Sequence, residues 1–233
     1  MIRNIKVLGL AVVAVFAFGA ITASAAFAEP EFHSEVASTK YTAEQDGGSQ
    51  IFVTPAGTVT CTDVTGEATT TTTTNKTITA TNIKYFNTNE KGEHVKCITK
   101  TLFGNIEVGI DFTTDECDYL FHATGGVEPN GGTVDVVCNK AGGITISGPG
   151  CSITVPGGAG QNKGLKEAIY DNKEAGAKRD VTITAKVKGI SGTATGFLCS
   201  KEGAFTTGEY TGNVTVKGFK DEALGAQVGI WRE

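Results

Sequence analysis

Four carboxylates fall close together at Asp111, Asp115, Glu116 and Asp118. Two carboxyl groups flanking a glycosidic bond are the machinery of a glycoside hydrolase, one giving a proton while the other acts as base or nucleophile, and several carboxylate oxygens together can hold calcium. The spacing matches no known calcium loop, and an acidic cluster between two strands is also what a solvated turn looks like. His33, His94 and His122 are the only histidines, and no two stand at a metal-ligand spacing such as H-x-x-x-H. His122 alternates with Leu120 and Asp118, opposite the face that carries Cys117, which places it at the surface if that face is solvated. A G-x-S-x-G nucleophile elbow, a phosphate-binding loop and a dinucleotide fingerprint are all missing. Ser147 and Ser191, each in an Ile-Ser-Gly context, read as strand-end or turn residues. The expectation is therefore no catalytic, cofactor-binding or metal-ligating residues, and no cofactor.

The six cysteines, Cys61, Cys97, Cys117, Cys138, Cys151 and Cys199, form no C-x-x-C pair, so neither a thioredoxin-like site nor a zinc ribbon is supported. An even number in an exported chain reads as a disulfide framework. Period-two spacing puts Cys117 on a face with Tyr119 and Phe121, Cys138 with Val134 and Val136, and Cys151 with Ile153 and Val155, so the sulfurs point into a core. Spacing alone leaves the pairing open. Proximity through the Gly142-Gly143 turn favours Cys138 with Cys151, then Cys61 with Cys97, leaving Cys117 with Cys199. A disulfide-pinned segment such as Asn139 to Gly150, held rigid and extended, would suit a protease inhibitor.

The elements that must position these residues are strands. Ile106, Val108, Ile110 and Phe112 alternate with Glu107, Gly109 and Asp111, and Val181, Ile183, Ala185 and Val187 alternate with Thr182, Thr184 and Lys186. Further strands are expected at 50–54, 58–63, 78–85, 95–99, 117–121, 133–138, 144–147, 151–155, 213–217 and 227–231. Gly125-Gly126, Asn130-Gly131-Gly132, Gly148-Pro149-Gly150 and Pro156-Gly157-Gly158 supply the turns between them. Leu165 to Ala177 has some helical composition, but its apolar stripe is thin and its alternation fits strand and loop. Thr69 to Thr74 reads as an ordinary half-exposed strand surface. The fold class expected is all-β: an antiparallel β-sandwich, or a barrel-like two-layer β domain, stapled by disulfides, with little or no helix. Tyr41, Tyr85, Tyr210 and Trp231 are the aromatics available as sugar-stacking platforms, with Trp231 better placed in the core.

Residues 1–28 read as a secretory signal peptide: Arg3 and Lys6, an apolar run from Val7 to Ile21, and the small-x-small ending Ala26-Phe27-Ala28 before Glu29. Residues 29–233 are then a single β-rich extracellular domain, since no Pro-rich or charged linker divides them. With no cysteine after the leader to take a lipid and no C-terminal hydrophobic tail, the expectation is a secreted product without a stable membrane anchor. Removing Arg3 and Lys6 leaves 18 basic against 25 acidic residues, which argues against a nucleic-acid partner.

Several phrases have a family look: 6–17 of the leader, Phe32-His33-Ser34-Glu35, Gly132 to Cys138, Gly150 to Pro156 and Tyr210 to Phe219. Together they resemble an expanded group of uncharacterised secreted, cysteine-containing, β-rich proteins of soil actinobacteria. The resemblance implies export and a disulfide-bonded β fold, and it carries over no functional residues. The leading functional expectation is a secreted, non-enzymatic protein with a structural or binding role at or near the cell surface, its extracellular ligand a polysaccharide or a protein. The alternatives are a secreted glycoside hydrolase or lyase working through the Asp111 to Asp118 carboxylates, and a protease inhibitor.

Overall fold

The computed structural model describes residues 29–100, 107–113, 117–139, 143–158, 161–175, 178–220 and 225–233. Among them are nineteen strands and no helix. In chain order these are β1 (Phe32–Ser34), β2 (Thr39–Gln45), β3 (Gln50–Thr54), β4 (Gly57–Cys61), β5 (Asp63–Thr70), β6 (Thr74–Asn75) and β7 (Thr77–Thr88). There follow β8 (His94–Val95), β9 (Cys97–Lys100), β10 (Glu107–Thr113), β11 (Cys117–Gly125), β12 (Gly131–Cys138), β13 (Ile144–Gly148) and β14 (Cys151–Val155). The chain ends with β15 (Leu165–Ala175), β16 (Lys178–Thr195), β17 (Gly203–Lys220), β18 (Gln227–Val228) and β19 (Ile230–Arg232).

Every pairing is antiparallel, and the pairings close on themselves. β11, β12, β15, β16, β17, β2, β5 and β7 form an eight-stranded barrel, closed where β7 returns to β11. Of the two architectures expected from sequence, the barrel-like one is therefore present. The 18-residue strands β16 and β17 run on past this barrel. There, with β14, β13, β10, β9, β4 and β3, they close a second circuit of pairings. A small sheet of β19, β1 and β6 lies apart from both.

Alternation decides which side chains enter the first barrel, and two bulges correct its phase. On β7, Ile78 and Ala80 face inward, Asn82 takes a left-handed φ of 52°, and Ile83 and Tyr85 then face inward on the opposite parity. Asn tolerates that backbone conformation because its short polar side chain bonds locally. On β15, Glu167 at φ 80° does the same between Leu165 and the pair Ala168 and Tyr170. This segment, read from sequence as strand and loop, is thus a strand that carries a bulge. The Thr69 to Thr74 run is the end of β5, a turn, and the start of β6 rather than one continuous strand.

Three disulfides join Cys61 to Cys97, Cys117 to Cys138, and Cys151 to Cys199. Cys61–Cys97 agrees with the expectation from spacing; the other two pairings replace Cys138–Cys151 and Cys117–Cys199. The reason is strand order. β12 pairs with β11 and β15, and β13 lies elsewhere between β10 and β14, so Gly143 does not lead into a strand beside β12. Cys117 and Cys138 are instead direct cross-strand partners, 4.0 Å apart at Cα.

Candidate ligand-binding cavity

The two circuits differ in how they are filled. In the second, Phe52, Val59, Ile144, Ile146, Ile153 and Phe205 are buried, and of these Phe52, Ile144 and Ile146 also face the cavity of the first. In the first, the inward positions of neighbouring strands are small: Ala43 on β2, Gly66 and Ala68 on β5, Ala80 on β7, Ala185 on β16 and Gly212 on β17. Such residues cannot span a barrel of eight strands, a size at which the interior is either filled by side chains or open to one small ligand. The result is a cavity of about 180 Å³ with an almost wholly apolar wall.

Packing on either side of the cavity is dense. One buried cluster, containing Phe32, Tyr41, Ala68, Ala123, Ala168, Tyr170, Val181 and Ile230, closes the end next to the small sheet. A second, containing Val64, Ile83, Tyr85, Val134, Leu165 and Val187, merges with the buried side chains of the second circuit. Between them Ile78, Ala80, Phe121, Ile183, Ala185, Val214 and Val216 point inward yet are only half-buried, because the surface they keep is cavity wall.

The small sheet seals its end with a specific set of contacts. The Phe32 ring meets Tyr170 edge-on at 5.0 Å. The buried Arg232 guanidinium donates from Nε and Nη2 to the carbonyl of Ala123, at 3.1 and 2.7 Å, and from Nη2 to that of Gly131 at 3.3 Å. It also lies over the Tyr170 ring. The neighbouring Trp231, half-buried, stacks on His33 and carries the Arg179 guanidinium against its ring.

One polar seam crosses the apolar wall. Gln50, almost fully buried, donates from Nε2 to Gln45 Oε1 at 2.6 Å and to the Asn213 carbonyl at 3.0 Å, while its Oε1 accepts from the Tyr210 hydroxyl. The Tyr210 ring meets Tyr85 edge-on at 6.1 Å, and the Tyr85 hydroxyl donates to that of Tyr119 at 3.3 Å. Burial pushes the hydroxyls of Tyr85, Tyr119 and Tyr210 well above the ordinary phenol range, so all three stay protonated. This is a few convergent polar groups in an apolar concavity, the usual composition of a small-molecule site.

The residues singled out from sequence are placed differently. Tyr41, Tyr85 and Tyr210, considered as exposed sugar platforms, face into the barrel, with Tyr41 Oη 3.3 Å from Thr70 Oγ1. Asp115 and Glu116 lie outside the described residues, while Asp111 on β10 and Asp118 on β11 sit on strands that do not pair with each other. His122 is half-buried and meets Asp135 at 3.3 Å, whose other oxygen accepts from the Gly164 amide. Of the Asn139 to Gly150 segment, residues 144–148 are β13, hydrogen-bonded on both edges, and 140–142 lie outside the described residues. No group of three or more metal-ligating side chains occurs among the described residues. The cavity itself was missed because each inward Ala or Gly is unremarkable alone; its signal is the coincidence of small residues at inward positions of several strands, which needs the strand order to be read. No protein family, curated protein or solved structure matches the chain.

Proposed function

We propose that the mature chain is exported and serves as a non-enzymatic extracellular protein that carries one small apolar ligand inside its barrel. The observation that carries this reading is the unfilled apolar interior between two well-packed clusters. Leaving such a space costs contact energy along its lining, although larger side chains could readily fill it. An apolar cavity of about 150 Å³ stays dry and takes up a benzene-sized molecule, so about 180 Å³ accommodates a small aromatic or a short branched chain.

Three disulfides fit an oxidising compartment, and no helix among the described residues is long and apolar enough to cross a membrane. Outward positions on the barrel strands carry Glu44, Lys84, Thr184, Lys186 and Lys217, the reverse of a membrane-spanning barrel, whose outer band is apolar. With Tyr41, Tyr85 and Tyr210 turned inward, a sugar-stacking surface has less to build on, and a ligand within the barrel is favoured over a polysaccharide outside it.

The test is isothermal titration calorimetry of the oxidised mature protein with toluene, a neutral apolar molecule of the size that the cavity takes. Saturable one-to-one binding is expected. Absence of saturation overturns the reading, and release of soluble sugars from plant or cell-wall polysaccharide would put a hydrolase in its place.

A further inference from the structure

The cavity comes close to the surface at one place in the barrel wall. On β5, Val64, Gly66 and Ala68 point inward and are buried, while Thr65 and Glu67 alternate with them on the outward parity and are half-buried. Thr65 and Glu67 nonetheless border the cavity. A depression on the outside of the barrel shares Ala43, Thr65, Gly66 and Glu67 with the cavity and has Asn82 and Lys84 on its rim. Where the two spaces meet, Gly66 puts no side chain into the wall.

The ladder is also interrupted there. Thr65 pairs with Lys84 and Glu67 with Thr81, so the bulge leaves Gly66 alone opposite Asn82 and Ile83. Two long bonds stand in for regular pairing: the Thr81 hydroxyl donates to the Glu67 carbonyl and Asn82 Nδ2 to the Glu67 carboxylate, both at 3.4 Å. The other irregular places in the barrel are backed by large side chains. At the β12–β15 bulge the Tyr170 ring packs directly on Gly132, and its hydroxyl donates to the His122 carbonyl at 3.1 Å. The irregular stretch of β11 and β12 near Gly125 is held by Arg232 through the carbonyls of Ala123 and Gly131.

We infer that the ligand enters and leaves the barrel sideways, by the parting of β5 from β7 at Gly66 and the Asn82 bulge. This inference rests on the proposal that the barrel carries a small apolar ligand. One end of the cavity is closed by the small sheet and the other by the buried side chains of the second circuit, so the wall is the shorter way out. Parting β5 from β7 at the bulge breaks few ladder bonds, whereas parting β16 from β17 breaks a long run of them. Such a route marks the rates of binding and leaves the affinity alone. Association and dissociation cross the same opening, so a clasp across it slows both by one factor and their ratio is unchanged.

The experiment is fluorine NMR exchange spectroscopy with 4-fluorotoluene on the wild type and on two variants that each carry one added disulfide, verified by peptide mapping without reduction. Thr65→Cys/Lys84→Cys joins directly opposed residues of β5 and β7 beside the bulge. Lys186→Cys/Thr211→Cys joins an opposed pair of β16 and β17 whose side chains are exposed and do not border the cavity. The first clasp is expected to slow association and dissociation by about ten-fold or more with Kd within about two-fold of the wild type, and the second to change either rate by less than about two-fold. Unchanged rates with the first clasp, or equal slowing by both, overturn the inference and leave the ligand-carrying proposal standing. If 4-fluorotoluene does not bind the wild type, it is the ligand-carrying proposal that fails, and the inference with it. Should Thr65→Cys/Lys84→Cys not fold, Glu67→Cys/Thr81→Cys, the opposed pair on the other side of the bulge, takes its place with the same expected and overturning results.

Discussion

Gly212 lies directly beneath the side chain of Gln50, so close that a Cβ at 212 would occupy the space of the Gln50 carboxamide. Glycine is required at this position of β17 by a neighbour 162 residues earlier in the chain, and in return Gln50 reaches the Tyr210 hydroxyl from β3. Gly212→Ala should therefore destabilise the protein by about 2 kcal/mol through overpacking. In a Gln50→Ala background the same change should cost well under about 1 kcal/mol, since the obstacle is gone. Urea unfolding of the four proteins in this cycle measures the difference.

Filling the barrel should separate binding from stability. Ala80→Leu and Ala185→Leu each place three more carbons into the cavity. Affinity for toluene should fall by about ten-fold or more, as the site loses volume. Stability should hold or rise by up to about 1 kcal/mol, because new contacts form across space that was empty. Calorimetric titration with toluene and thermal melting on the same samples check both halves.

Alkaline pH offers a third measurement. Burial is the main reason that the folded protein holds the phenols of Tyr85, Tyr119, Tyr170 and Tyr210 above their ordinary range. Tyrosines of the unfolded chain ionise near about pH 10. Below that pH both states are protonated and the stabilising difference is fully present. Above it the unfolded chain releases protons that the folded one keeps, so stability falls with rising pH, by up to about 1.4 kcal/mol per unit for each such group. The tyrosinate absorbance of these residues should consequently rise together with the loss of far-ultraviolet strand signal. A rise that precedes unfolding would mean that the seam is open to water.

The disulfides should differ in weight. Cys117–Cys138 closes a loop of 21 residues and Cys151–Cys199 one of 48. By chain entropy the first contributes about 3 kcal/mol and the second about 4 kcal/mol. Replacing each pair by serine and measuring urea midpoints tests the order. Peptide mapping without reduction should return the pairs Cys61–Cys97, Cys117–Cys138 and Cys151–Cys199.

How far the molecule can be read from its residues varies from element to element. Cys151 to Val155 is a strand with the bounds that alternation implies, and Leu165 to Ala175 is extended, as its weak helical stripe suggested. Alternation fails where a bulge resets it: no local pattern announces that Asn82 and Glu167 take left-handed φ angles. Pairing of Cys117 with Cys138 follows from which strands are neighbours, a long-range property, and the proximity argument chose the wrong turn. The cavity is the hardest case. Ala80, Ala185 and Gly212 are dispersed along the chain, and only the closure of β7 onto β11 brings them around one space. Aromatic residues considered as surface platforms proved to be the polar seam within, because period two states that Tyr85 and Tyr210 share a face with apolar neighbours but not which face is inside.

The long hairpin of β16 and β17 belongs to a hollow ring at one end and, at the other, to a ring of large buried side chains. Two jobs that usually compete are thereby given to different stretches of the same strands. The ring of large side chains holds the fold, while the lining of the hollow one is free to drift, residue by residue, toward molecules of other sizes. A lineage of such barrels would diversify in cargo far faster than in architecture, and its members would be recognisable by the shared hairpin long after their interiors had ceased to resemble one another.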